Sequence, residues 1–238
     1  MWDNHKLLGG VASVLLWVSA LLLVWAGVFW LIHSPLFPVK KISIEGRMER
    51  VTPVQLRYIA EHELRGTFFT LDIDATRQAF GKLPWVKEAQ VRRRWPDQLD
   101  IAVSEHKALA RWGENGLVST EGQWFDAASD QSLPVLSGPA GSEAEMARAL
   151  TRFKAILAPA GLAPVRVGMN ERRAWRIGLS NGVELELGRS DVDARLARFA
   201  KSWTTTLSAL PYRIETVDLR YPNGYAVRMP DYKAPPAQ

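Results

Sequence analysis

The segment from Gly178 to Gly182 reads GLSNG, letter for letter a G-x-S-x-G nucleophile elbow. In that motif a serine on a sharp strand-to-helix turn attacks an acyl carbon, with a histidine further along the chain as its base. Both flanks here, AWRIGL and VELELG, alternate apolar and polar residues as strands do, which makes Ser180-Asn181-Gly182 a hairpin turn. No histidine follows His106, so the order serine, acid, histidine is never completed. A membrane-anchored hydrolase working through Ser180 is therefore the weaker alternative. Asp72 and Asp74 could share acid–base work, yet at the head of an apolar-periodic run they read as a helix cap and a partner for the helix dipole. His5, His33, His62 and His106 show no metal-ligand spacing, and the absence of cysteine removes thiolate nucleophiles, disulfides and cysteine-bound metals. The expectation is a protein with no catalytic residue, no metal and no cofactor.

A second candidate chemistry is nucleic-acid binding. The chain carries a formal net charge of +5, and three arginines precede a tryptophan at Arg92–Trp95. A nucleic-acid surface needs one basic face with aromatic platforms. Alternation instead places Arg92 and Arg94 on one face and Arg93 on the other, with Trp95 in the core phase of Ala89 and Val91. Pro96-Asp97-Gln98 has a turn composition, and Leu99, Ile101 and Val103 alternate after it, so the stretch predicts a β-hairpin with Asp100 available to the arginines across the strands. No nucleic-acid partner is expected.

The elements that could position any site start with a membrane span. Leu7 to Ile32 contains no charged side chain, longer than the about 20 residues that cross hydrocarbon as a helix, and bulky residues occupy the exit where a cleaved signal peptide has small ones. Lys6 on one side and Lys40 and Lys41 on the other leave the orientation open. After two prolines, KKISIEG reads as a short strand. Thr52, Pro53 and Gln55 form a capping box opening a helix whose apolar face is Leu56, Ile59, Ala60 and Leu64. A further helix carries Ile73, Thr76, Phe80 and Leu83, and the Arg92 hairpin completes a strand–helix–helix–strand–strand unit.

A second region begins near Trp112. Ser142 and Glu145 read as another capping box, ahead of the stripe Met146, Leu150, Phe153 and Leu157. Strands at Trp175–Leu179 and Val183–Leu187 lead to a helix with Val192, Leu196, Phe199 and Trp203 on one face. ETVDLRY and YAVRM flank Pro222-Asn223-Gly224, a hairpin signal. There Val217, Leu219 and Tyr221 share one phase, Asp218 and Arg220 the other, and Ala226 and Arg228 share a phase across the turn. Two readings of YAVRM stand side by side. It is a sheet edge that accepts another protein's strand, with Arg220 near to pair a carboxylate, or it is simply the last strand, guarded by Arg228 and Lys233.

Five segments together resemble the FtsQ/DivIB family of bacterial cell-division proteins along nearly the whole chain: FPVKKISIEG, FFTLDIDATRQAF, LPWVKEAQVRRRWPDQLDIAVSEHKALARWG, RAWRIGLSNGVELELGR and VDLRYPNGYAVR. The resemblance implies an α+β protein with a cytoplasmic tail at 1–6, a transmembrane helix at 7–33 and a POTRA domain at 39–111. A mixed β-sheet domain with flanking helices follows at 112–229, and a disordered tail at 230–238. It implies a non-enzymatic scaffold of the divisome in the inner membrane, bulk in the periplasm, at the division septum. Its partners would be FtsB and FtsL, held by strand addition at the C-terminal edge, with other division proteins met through the POTRA and transmembrane segments and lipid around the anchor. The contact would fall on Arg173, Arg220, Tyr221, Gly224, Tyr225, Ala226 and Arg228, with Tyr232 standing where other members place an aromatic beyond the last strand.

Overall fold

The computed structural model describes residues 5–34, 36–46, 48–64 and 66–233, so the expected tail calls at 1–4 and 234–238 lie outside the described residues. The chain divides into two compact units, Met1–Glu105 and His106–Gln238.

The first unit opens with helix α1, His5–His33. Within Gly9–His33 an 18-residue stretch reaches a mean hydropathy of 2.4, and none of that stretch is buried by the rest of the chain. An apolar helix this long with no protein around it fits a single-pass membrane anchor. Strand β1 (Lys41–Glu45), helix α2 (Pro53–Glu63), helix α3 (Ile73–Gly81) and strands β2 (Val86–Arg94) and β3 (Gln98–Glu105) follow in the expected order. The sheet runs β1-β3-β2, with β1 parallel to β3 and β2 antiparallel to it. Leu56, Phe80, Leu99 and Ile101 are fully buried at its centre.

Local signals explain both helices. Thr52 accepts from the Gln55 amide while the Gln55 side chain accepts from the Thr52 amide, so the capping box is closed. Asp72 accepts from the amides of Asp74 and Ala75, and Asp74 sits in the first turn. Glu105 fastens the link between β1 and α2: its carboxylate accepts from the amides of Glu49, Arg50 and Val51 at 3.0, 3.2 and 2.7 Å. Trp95 overturns an expectation. Strand β2 ends at Arg94, so strand alternation no longer governs the next residue, and Trp95 stands 78% exposed in the turn instead of entering the core. Arg92 lies opposite Asp100, Arg94 reaches its carboxylate at 3.9 Å, and Arg93 turns the other way to the carbonyls of Phe69 and Leu71.

The second unit is a nine-stranded sheet carrying two helices. Its strands are β4 (Ala108–Trp112), β5 (Leu117–Ser119), β6 (Trp124–Phe125) and β7 (Val135–Ser137), then β8 (Pro164–Met169), β9 (Trp175–Leu179), β10 (Glu184–Gly188), β11 (Thr216–Asp218) and β12 (Ala226–Arg228). Helix α4 (Glu143–Leu157) precedes β8 and helix α5 (Val192–Thr205) follows β10. The spatial order is β12-β11-β10-β9-β8-β7-β4-β5-β6. Phe153, Leu150, Phe199 and Leu196 of the helices pack with Val167, Ile177, Leu185 and Val217 of the strands, all fully buried. The expected domain boundary at Arg111 needs correction, because β4 pairs with β5 and β7 and so carries 108–111 into the second sheet.

Three further expectations change here. Ser142 does not cap α4; its hydroxyl donates to the Pro139 carbonyl, and Glu145 pairs with Arg173. The last hairpin is not a tight Asn-Gly turn, since residues 219–225 separate the two strands. The described part of the tail is held: the Tyr232 amide donates to Met229 O, and its ring meets Tyr212 edge-on with centroids 5.3 Å apart.

Candidate functional site

Strand alternation gives the second sheet two unlike faces. Val167, Ile177, Leu185 and Val217 point to the helices, so the residues between them point away. On that open face Arg176 lies opposite Glu186 with a 3.0 Å ion pair, and Arg166 reaches across β9 to Glu184. The long reach of Arg166 depends on Gly178, where an added Cβ would come within 3.2 Å of both its Nε and the Glu184 carboxylate.

Arg220 ends this row. Its Nε donates to both oxygens of Asp218 at 2.9 and 3.1 Å, its Nη2 donates to Asp218 Oδ2 at 2.6 Å, and Glu186 stands 3.4 Å away. The guanidinium hydrogen bonds hold the Asp218 carboxyl below the usual range against a smaller opposing effect of burial, and Asp218 in turn raises the Arg220 pKa. The stem of Arg220 passes over Gly188, where a Cβ would meet its Cγ at 3.3 Å. A groove of about 360 Å³ runs from Asn170 and Ala174 past Arg176 and Glu186 to Arg220.

Beyond Arg220 the chain loops to β12. The Leu219 amide still donates to Glu186 O at 2.8 Å, and Arg198 of α5 donates to Pro222 O at 2.9 Å, so the loop is tied at both flanks. Tyr221 is 54% exposed and leaves the buried phase of Val217 and Leu219, because β11 has ended at Asp218. Gly224 lies in the same loop, and Tyr225 is half-buried against the core. Strand β12 terminates the sheet. Ala226 and Arg228 are exposed on it, and Arg228 pairs with Glu215 at 3.1 Å. Among the described residues no strand pairs with the outer side of β12, so its outward main-chain groups are open to another strand.

Of the seven residues singled out from sequence, six therefore gather on the β11–β12 connection and edge. Arg173 behaves differently. It occupies the turn between β8 and β9 with φ +61°, a turn in which Asn170 Oδ1 accepts from the amides of Arg172 and Ala174. That turn borders the groove ending at Arg220, but the Arg173 guanidinium is directed to Glu145 of α4. Sequence reasoning put Asp218 in the phase of Arg220 without making it the partner that fixes Arg220, and it passed over Glu186, which stands beside the same guanidinium, and Arg198, which holds the loop. Alternating opposite charges in WRIGL and VELELG could have revealed the row, whereas nothing local marks Arg198. Ser180 sits in a strand–turn–strand, its Oγ accepting from the Ala163 amide at 3.3 Å, so the geometry of a nucleophile elbow is not there. Among the described residues no cluster of histidine and acidic side chains could hold a metal ion.

Residues 37–106 match the family model of the POTRA domain, FtsQ-type, and residues 110–220 that of cell division protein FtsQ/DivIB, C-terminal. The chain is 40% identical over 233 residues to the cell division protein FtsQ of Nitrosospira multiformis, covering 96% of this chain and 99% of that protein. It is 39% identical over 235 residues to the protein of that name from Burkholderia pseudomallei, covering 96% and 94%, and 34% identical over 229 residues to the one from Neisseria gonorrhoeae, covering 96% and 95%.

Proposed function

The chain belongs to the FtsQ/DivIB family of cell division proteins, and from that premise we propose that it is a membrane-anchored, non-enzymatic scaffold of the divisome. Helix α1 anchors it in the inner membrane with the first residues in the cytoplasm and both compact units in the periplasm. It holds the periplasmic coiled coil of FtsB and FtsL at the septum, where septal peptidoglycan synthesis is controlled. The POTRA unit and the transmembrane helix meet other division proteins.

The observation that carries this reading is the open outer side of β12, with Arg220 fixed on the connection that leads into that strand. A partner strand laid along β12 would gain main-chain hydrogen bonds, and an adjacent acidic residue could reach Arg220. Arg228 and the exposed ring of Tyr221 flank the same edge and would add side-chain selectivity.

The test is titration calorimetry of the full chain in nanodiscs with a periplasmic FtsB–FtsL coiled-coil fragment, comparing the unaltered chain with Arg220→Glu and Ala226→Pro. Saturable binding that weakens in both variants, with circular dichroism unchanged, is the expected result. Equal affinity in all three chains would refute the edge-strand mechanism.

A further inference from the structure

The hairpin tip of the first unit presents an exposed tryptophan that its fold does not use, and the contacts around it lead to the end of α1. The Thr67 hydroxyl donates to the carbonyl of Ile32 in the last turn of α1 at 3.0 Å, and the Phe68 amide donates to Phe37 O at 2.9 Å. Arg93 ties the same 67–71 loop to β2 through the carbonyls of Phe69 and Leu71. The Lys40 amide donates to Asp97 O at 2.9 Å, closing the circuit between the hairpin tip and the segment leaving α1. Residues 37–41, 67–72 and 92–97 thus share one end of the unit, the end from which the apolar helix emerges. Glu105 and the 49–51 loop mark the opposite end.

That end exposes apolar surface beside cations. Trp95 is 78% exposed, Leu36 65% and Phe69 44%. Of the nearby charges, Lys40 pairs with Asp97 at 3.6 Å, Arg94 lies 3.9 Å from Asp100, and Asp72 is occupied as the cap of α3. Lys41 and Arg92 form no ion pair among the described residues, where the Arg92 side chain hydrogen-bonds to Gln90 alone, at 3.5 Å. An indole with its N–H beside apolar neighbours and unpaired cations is the composition that favours the headgroup layer of a bilayer. Each cation near an anionic surface adds to the attraction.

We propose that the tip of the β2–β3 hairpin is a second membrane contact of the first unit. Trp95 seats in the interfacial layer of the bilayer that α1 crosses, and Lys41 and Arg92 meet anionic phospholipid headgroups. The proposal rests on α1 being a span and is independent of what binds β12. Its consequence is mechanical: a single exit from the membrane becomes a two-point attachment, fixing the direction in which the unit projects.

The chain has no cysteine, so single nitroxide labels can be placed in the full protein in nanodiscs. Trp95→Cys and Val54→Cys carry the same label at opposite ends of the unit, Val54 being 76% exposed near the Glu105 end. In discs containing phosphatidylglycerol, the label at 95 should collide more with oxygen than with a nickel chelate, and the label at 54 the reverse. Adding Lys41→Glu and Arg92→Glu should return the label at 95 toward the behaviour of 54. Labels as water-accessible as that at 54 both at 95 and, with the indole kept, at Arg94→Cys would overturn the contact, and depth unaffected by the charge reversals would overturn its anionic preference. An Arg94→Cys label keeps the indole in place. Its nickel accessibility should rise when Trp95→Ser is added, and no rise would overturn the role given to Trp95.

Discussion

Replacing Glu105 by Ala should loosen the first unit and leave the second intact. The carboxylate accepts from three consecutive amides, and the shortest bond, 2.7 Å, comes from Val51, itself only 5% exposed. The amides of Glu49 and Arg50 are more open and can return to water, so their loss is small. The Val51 amide lies against the core; left unpaired it costs about 1–3 kcal/mol, and loss of charge-assisted bonding to its neighbours brings the total to about 2–4 kcal/mol. At about 1.4 kcal/mol per factor of ten, amides around Leu56 and Ile101 should exchange with deuterium roughly 30- to 1000-fold faster where exchange follows opening of the whole unit. Hydrogen exchange by mass spectrometry on the full chain reads both units in one sample, and peptides across Leu150 and Phe199 serve as the unchanged control. Glu105→Gln retains an acceptor without the charge and should fall between. Protection within threefold of the unaltered chain in Glu105→Ala, or equal loss in both units, would refute the reasoning.

Gly46→Ala should unfold the same unit more severely, by about 3 kcal/mol or more, because a Cβ there would lie 2.2 Å from the Val103 carbonyl oxygen at φ +152°; urea unfolding of the variant checks it. Phe153→Ala removes a fully buried ring edge-on to Trp175 at 5.5 Å and should cost the second unit about 3–5 kcal/mol, read by exchange in peptides of α4 and β9. The folded Asp218 carboxyl titrates below its ordinary value of 3.8. Its contribution to stability is therefore complete above the ordinary carboxylate range and is lost as pH falls through the lower folded value. Acid unfolding of Asp218→Asn should lack that part of the pH dependence, and identical acid limbs in the two chains would contradict the assignment.

What the sequence disclosed were features decided by neighbours in the chain. The Thr52–Gln55 capping box, the Asp72 cap and the buried stripe of α4 all follow from spacing. The same local rule failed at Ser142 and Glu145, where Pro139 O and the guanidinium of Arg173 take the side chains that a cap would use. Phase arguments held inside strands and broke one residue past their ends, at Trp95 and at Tyr221. The membership of β4 in the second sheet depends on β7, which lies beyond a long connection and carries no signal for its partner. Around Arg220 the residue itself was legible, but its lock was not. Asp218 is two residues away, Glu186 comes from a strand brought alongside by a parallel pairing, and Arg198 arrives from a helix.

That lock decides how Arg220 would act toward a partner and what substitution tests it best. Asp218 engages Nε and Nη2 on one edge of the guanidinium, leaving Nη1 without a hydrogen bond among the described residues. A side chain already held in one rotamer loses little further entropy when a carboxylate arrives, and the planar fork can serve Asp218 and a second acceptor together. Lysine keeps the charge but offers a single ammonium on a flexible stem, which cannot hold the Asp218 pairing and present a fixed donor outward as well. On the proposed edge-strand reading, Arg220→Lys should therefore lose most of the affinity lost by Arg220→Glu in the calorimetric titration, although only the glutamate reverses the charge. Full affinity in the lysine variant would show that charge alone is read at this position and that the geometry set by Asp218 plays no part in binding.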